Sequence, residues 1–135
     1  MKGKYMQKQK TTKITLAQVT TIVQKMAKFG LLFTGVVFFV FAFFSGAETY
    51  GGGIVGLIYN FPNTLPWLIV LFITYIAWRW ELIGGILVFF LGVGTFFFFN
   101  VYETKSLFAF FVMSFPFLLL GLLLVATYLI QTKRQ

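Results

Sequence analysis

The sequence predicts an all-α polytopic membrane protein: four transmembrane helices in a compact bundle, with the N- and C-termini both cytoplasmic. Three observations lead there. Of 135 residues, 59% are hydrophobic and only 10% are charged, whereas soluble domains carry about 25% charged residues. Runs such as residues 29–44 are uncharged and apolar on every side, while a helix in a soluble protein confines its apolar residues to one stripe. The basic residues are also unevenly placed. Seven lysines precede the first apolar run, Arg79 follows the second, and Lys133 and Arg134 end the chain, which leaves Lys105 alone on the other side of a four-span arrangement. A Lys and Arg excess marks the cytoplasmic side.

Residues 1–13 are polar and lysine-rich with no apolar periodicity, which predicts a mobile arm that orders only on docking. Ile14, Ala17, Val19, Ile22, Val23 and Met26, set among Thr, Gln and Lys, make an imperfect amphipathic helix at the interface or leading into the first span. A cleavable signal peptide has an apolar core of about 7–15 residues after a short basic region. Here the apolar run begins only near residue 29, so the segment reads as retained. Residues 1–28 thus form a basic cytoplasmic arm and interfacial helix, and residues 29–135 a transmembrane domain with spans at about 29–47, 65–78, 82–99 and 107–130.

The first span, 29–47, is long enough at ~28 Å to match a hydrocarbon core of ~30 Å. Gly30, Thr34 and Gly35 either let another helix approach closely or are simply the small residues frequent in spans. Residues 45–64 are the least regular part of the chain. Gly51, Gly52 and Gly53 precede a short apolar piece, 54–61, which is an interfacial helix, a re-entrant segment or the broken first half of the second span. Pro66 then reads as a proline in the first turn of the second span. Between the second and third spans stands Trp78-Arg79-Trp80-Glu81, an interface anchor: tryptophans favour the headgroup region, and Arg79 and Glu81 are costly deeper. Its simplest internal contact is an Arg79–Glu81 ion pair. In the third span Gly85 and Gly92, seven apart, share a face, which suits an internal helix contact or a homodimer. The Phe96–Phe99 run reads as lipid-facing bulk. A polar loop, 100–106, holds Glu103 and Lys105, and the last span contains Pro116 and Gly121, so a kink is expected near its middle.

Chemistry is sparse. With no His and no Cys, the usual nitrogen and sulfur metal ligands and all thiol chemistry are missing. The three carboxylates fall on two membrane sides, and no serine stands in a nucleophile motif, so the chain reads as non-enzymatic and without a cofactor. The triple glycine lacks the Gly-Lys-Ser/Thr ending of a phosphate loop. Glu48 is either an ordinary interface residue or part of an outward-facing polar pocket with Tyr59, Asn60 and Asn63. Lys2, Lys4, Lys8, Lys10 and Lys13 lack the row of interleaved aromatics that nucleic-acid binding would use. They read as a positive-inside signal that also attracts anionic lipid or an acidic partner.

Ser45-Gly46-Ala47-Glu48 after the first span, Pro66 opening the second, the Trp78-Arg79-Trp80-Glu81 hinge with Ile83-Gly84-Gly85, and Pro116-Phe117-Leu118-Leu119-Leu120-Gly121 resemble an uncharacterised family of small four-helix prokaryotic membrane proteins, a domain of unknown function, over roughly residues 30–128. The resemblance implies the architecture and no activity. An acidic residue after the first span is matched by Glu48. A histidine commonly found before the second-span proline is replaced here by Asn63, which counts against a metal or proton role at that position. The functional expectation is a small accessory or assembly subunit in the cell membrane, associated with other membrane subunits or with itself. The alternative is a small transporter or channel component with a site near Glu48 and Asn63.

Overall fold

In the computed structural model the backbone is described for residues 2–98 and 107–133, and the side chains for residues 15–98, 107–108 and 110–133. The predicted loop at 100–106, with Glu103 and Lys105, and the side chains of Lys2, Lys4, Lys8, Lys10 and Lys13 lie outside the described residues. The chain forms α1 (Lys2–Ser45), a 3-10 turn (Glu48–Tyr50), α2 (Gly53–Arg79) and α3 (Glu81–Phe98). A helical turn (Leu107–Ala109) and a π-helical segment (Phe110–Ser114) then lead into α4 (Phe115–Thr132). Four helices are long and apolar enough to cross a membrane, and no strand occurs among the described residues. This is an all-helical, multi-pass membrane protein.

The helices form a closed ring in which α2 and α4 each pack against both α1 and α3. Neighbours run antiparallel. Gly85 faces Leu124 and Val125 while Gly92 faces Leu118, so residue numbers rise along α3 as they fall along α4. The described part of α3, 18 residues from the hinge to Phe98, spans ~27 Å, close to the ~30 Å hydrocarbon core, which places Glu81 and Phe98 near the two boundaries. The hinge is then at one surface and the glycine-rich turn near the other.

Two boundaries differ from those predicted, and the last span departs from regular α-helix near Pro116, where a kink was expected. First, α1 is a single helix of 44 residues with no break near residue 28, and the segment expected to be a mobile arm is helical from Lys2. Second, α2 is one continuous helix of 27 residues that contains both Pro62 and Pro66. Residues 54–61 are therefore the first part of the second span, which begins before residue 65. The reason is a buried stripe of Gly56, Asn60, Thr64, Trp67, Val70, Thr74 and Ala77, spaced at helical intervals through both prolines. The prolines are exposed on other faces. Membrane helices tolerate the loss of the amide donors that proline removes, because the freed carbonyls find other partners. The last span changes geometry ahead of Pro116. Lacking an N–H, Pro116 cannot bond the carbonyl four residues earlier and crowds it, and the preceding residues 110–114 adopt π-helical bonding. Pro116 itself lies in the first turn of α4.

In lipid the hydrophobic effect inserts helices but does little to pack them, so close van der Waals contact must hold the bundle. Glycines supply it. On α3, Gly85, Phe89 and Gly92 mesh with Leu118, Gly121 and Val125 of α4: a Cβ on Gly121 would lie 2.5 Å from the Phe89 nitrogen, and one on Gly92 2.7 Å from the Leu118 nitrogen. On the α2 side, a Cβ on Gly84 would lie 2.1 Å from the Ala77 Cα. Gly84 and Gly85, about 100° apart on the helix, thus each admit a different neighbour. The apolar centre has Leu31, Val88, Phe117 and Leu124 fully buried and Phe38 stacked on Trp67 at 4.6 Å.

Candidate functional site

Polar side chains gather at three depths. Near the glycine-rich turn, the residues just after α1 touch α2: Gly56 packs on the Ala47 carbonyl, and Gly46 leaves room for the side chain of Asn60. Its Nδ2 donates to the carbonyls of Ala42 and Phe43, each at 2.8 Å. These belong to the last turn of α1, whose carbonyls have no partner within the helix, so Asn60 acts as a cap supplied by a neighbouring helix. It is only 2% exposed. Glu48, Tyr59 and Asn63 are exposed, and Tyr59 lies 6.4 Å, ring to ring, from Tyr50. The predicted polar pocket of Glu48, Tyr59, Asn60 and Asn63 is therefore not assembled: α2 is helical here, so Asn60 points to α1 while Tyr59 and Asn63 point away from it.

One level deeper, Thr64 and Ser114 are fully buried. The Thr95 hydroxyl donates to the Gly92 carbonyl at 2.9 Å and lies 3.4 Å from the Ser114 hydroxyl oxygen. Here two helices depart from regular bonding together: α2 at Pro62 and Pro66, and the last span at its π-helical segment, which ends on Ser114. π-Bulges recur at functional sites in proteins generally. Beside them a groove of about 380 Å³ opens between α2 and α3, lined by Pro66, Trp67, Phe90, Gly94 and Thr95 among others. It is nearly all apolar. Gly94 is responsible for part of its depth, since a Cβ there would meet nothing within 4 Å.

The third group lies at the hinge. Trp80 is the only residue between α2 and α3, in extended conformation, and its amide donates to the Ile76 carbonyl at 2.7 Å. Trp78 packs edge-on against Phe29. Glu81 does not pair with Arg79. Its carboxylate bonds Lys28 of α1 at 2.5 Å, because the hinge sets the first turn of α3 level with that lysine. The two side chains are 15% and 27% exposed, and such a half-buried pair fixes the register of α1 against the hairpin more than it adds stability. One turn before Lys28, the Gln24 amide, 6% exposed, accepts a hydrogen bond from Gln131 Nε2 at 3.1 Å. Gln24 Nε2 is buried without a partner among the described residues.

Residues 12–135 match the family described as a domain of unknown function, DUF7670. The chain belongs to that family. No curated protein and no solved structure matches it. The resemblance seen in the sequence, to an uncharacterised family of four-helix membrane proteins, thus stands on both the family match and the helical architecture. For this DUF7670 member, sequence reasoning missed Gln24, Lys28 and Gln131, which come from opposite ends of the chain. It also missed Thr64, Thr95 and Ser114. The one available signal for the hydroxyl group was the helical spacing of Gly56, Asn60, Thr64 and Trp67, a stripe of small and polar residues that a search for apolar periodicity passes over.

Proposed function

We propose that this protein is a non-enzymatic accessory or assembly subunit of a larger complex in the cell membrane, with both termini cytoplasmic and the hinge at the cytoplasmic surface. The observation that carries the reading is the length of α1. Lys28 is tied to Glu81 at the hinge, so the 26 residues from Lys2 to Ala27 run on past the surface for ~39 Å, while α4 follows only as far as Thr132. Along this extension Leu16, Val19, Ile22 and Met26 are spaced as one helical face and are exposed, Met26 at 68%. An apolar face beyond the hydrocarbon region is normally covered by a partner. The lysines beside it favour a partner surface that is apolar at its centre and acidic at its rim.

The test is gentle extraction of the full chain carrying a photo-reactive residue at Ile22 or Met26. Crosslinking to one or a few larger membrane proteins, and co-purification with them, is expected. A chain that crosslinks only to lipid and migrates alone would overturn the reading. The alternative, a small transporter or channel component with a site near Glu48 and Asn63, has less support, because those side chains are exposed separately and Asn60 is occupied as a helix cap.

A further inference from the structure

The displacement of Glu81 from Arg79 to Lys28 has an electrostatic result at the hinge. Arg79, Trp80, Glu81, Leu82, Ile83 and Tyr128 line a cavity of about 350 Å³ between the hinge and α4. Had Arg79 paired with Glu81, as their spacing suggests, this notch would be neutral. Glu81 is instead neutralised from α1, and the Arg79 guanidinium has no ion-pair or hydrogen-bond partner among the described residues. The same holds for the Trp80 indole N–H and the Tyr128 hydroxyl. One uncompensated positive charge and two further donors therefore border a single cavity. Glu81 lines the same cavity, but its bond to Lys28 holds it away from Arg79, and the five N–H groups of arginine match phosphate geometry in a way that a lysine does not.

Depth identifies the ligand further. The notch lies where α3 begins, at the boundary set by the length of that helix and marked by Trp78 and Trp80, and there lipid phosphates are found. Leu82 and Ile83 form its apolar wall, Ile83 being 54% exposed, so a ligand with acyl chains would continue from the notch onto α3. We infer that the notch bordered by Arg79, Trp80 and Tyr128 binds a phosphate group, that of an anionic phospholipid headgroup. Arg79 supplies the charge, Trp80 and Tyr128 donate to the remaining phosphate oxygens, and the Lys28–Glu81 pair keeps Arg79 available. This assignment is independent of the subunit reading above.

The test is native mass spectrometry of the full chain in detergent, titrated with phosphatidylglycerol. Arg79→Gln is expected to weaken binding about tenfold, the loss of one charge-assisted contact, and Tyr128→Phe about threefold, the loss of one neutral hydrogen bond. Glu81→Gln should bind more tightly than the wild type, since it removes the carboxylate that lines the same notch and leaves Arg79 available. Lys28→Gln should weaken binding although Lys28 does not line the notch, because the released Glu81 can then reach Arg79. Lys25→Gln, an exposed lysine at the same end, should bind as the wild type does. Thermal unfolding checks that each variant is folded, and Arg79, being exposed, is not needed for packing. Equal losses for Arg79→Gln and Lys25→Gln would overturn the site in favour of diffuse surface charge. Inorganic phosphate in excess should not displace the lipid; displacement that Arg79→Gln abolishes would overturn the lipid assignment and give the notch to a soluble phosphate compound.

Discussion

Asn60 sits where the end of a helix would otherwise carry a cost. The last carbonyls of α1, those of Ala42 and Phe43 among them, have no partner within their own helix. Asn60 supplies both bonds from α2. Replacing it with alanine removes the donor and leaves both carbonyls unpaired, so Asn60→Ala is expected to destabilise the protein by about 1–3 kcal/mol, measured as a lower midpoint of unfolding in detergent. Asn60→Asp keeps the shape but presents no amide donor and should be at least as harmful. If alanine had no effect, the cap would be dispensable. The residue type was legible as important, but its direction was not: a polar side chain near the end of a span serves equally well for a pocket or for a cap. The same limit applied to Glu81. Sequence proximity pointed to Arg79, two positions away, while the hinge and the register of α1 bring it to Lys28.

At the scale of the element, α2 shows how a membrane helix absorbs two prolines. Pro66 removes the amide that would bond the Pro62 carbonyl, and Pro62 removes the one that would bond Ile58. The helix continues because its packing stripe lies on another face. Pro66 borders the groove between α2 and α3 and is exposed, so Pro66→Ala restores a backbone bond without removing a packed side chain. The expected outcome is unchanged or modestly higher thermal stability. A loss of several degrees would mean that α2 meets α3 only with the proline in place. The boundaries of α2 were missed because apolar length was used to delimit the span, and the first turns of this helix are held by glycine, asparagine and threonine instead. The start read for α3, residue 82, lies next to the observed Glu81, since the hinge bounds that helix; the end read at residue 99 falls outside the described residues.

At the scale of the whole molecule, four antiparallel helices in a ring with uneven basic residues should place the hinge and both termini on one side. The chain has no cysteine, so single introduced cysteines report position without background. Lys25→Cys and Lys133→Cys, both exposed at the hinge end, are expected to react with an impermeant maleimide only after the cells are opened. Glu48→Cys and Asn63→Cys, exposed at the other end, should react in intact cells. Labelling of all four from one side would contradict a four-span arrangement, and the reverse pattern would invert its orientation.

Composition and the lengths of uncharged runs determined by themselves that this chain is helical, crosses the bilayer and does so four times, because the hydrocarbon core imposes both a minimum length and internal satisfaction of every backbone polar group. Those constraints act on each segment separately, so they can be read one segment at a time. Which faces meet is a different matter. The pairing of Lys28 with Glu81, of Gln24 with Gln131 and of Asn60 with the end of α1 depends on helix rotation and register, which are set by where glycines let backbones touch. Only the tertiary structure decided these contacts, and with them a guanidinium at Arg79 that has no partner among the described residues, because each contact joins residues from different helices, 17 to 107 positions apart in the chain.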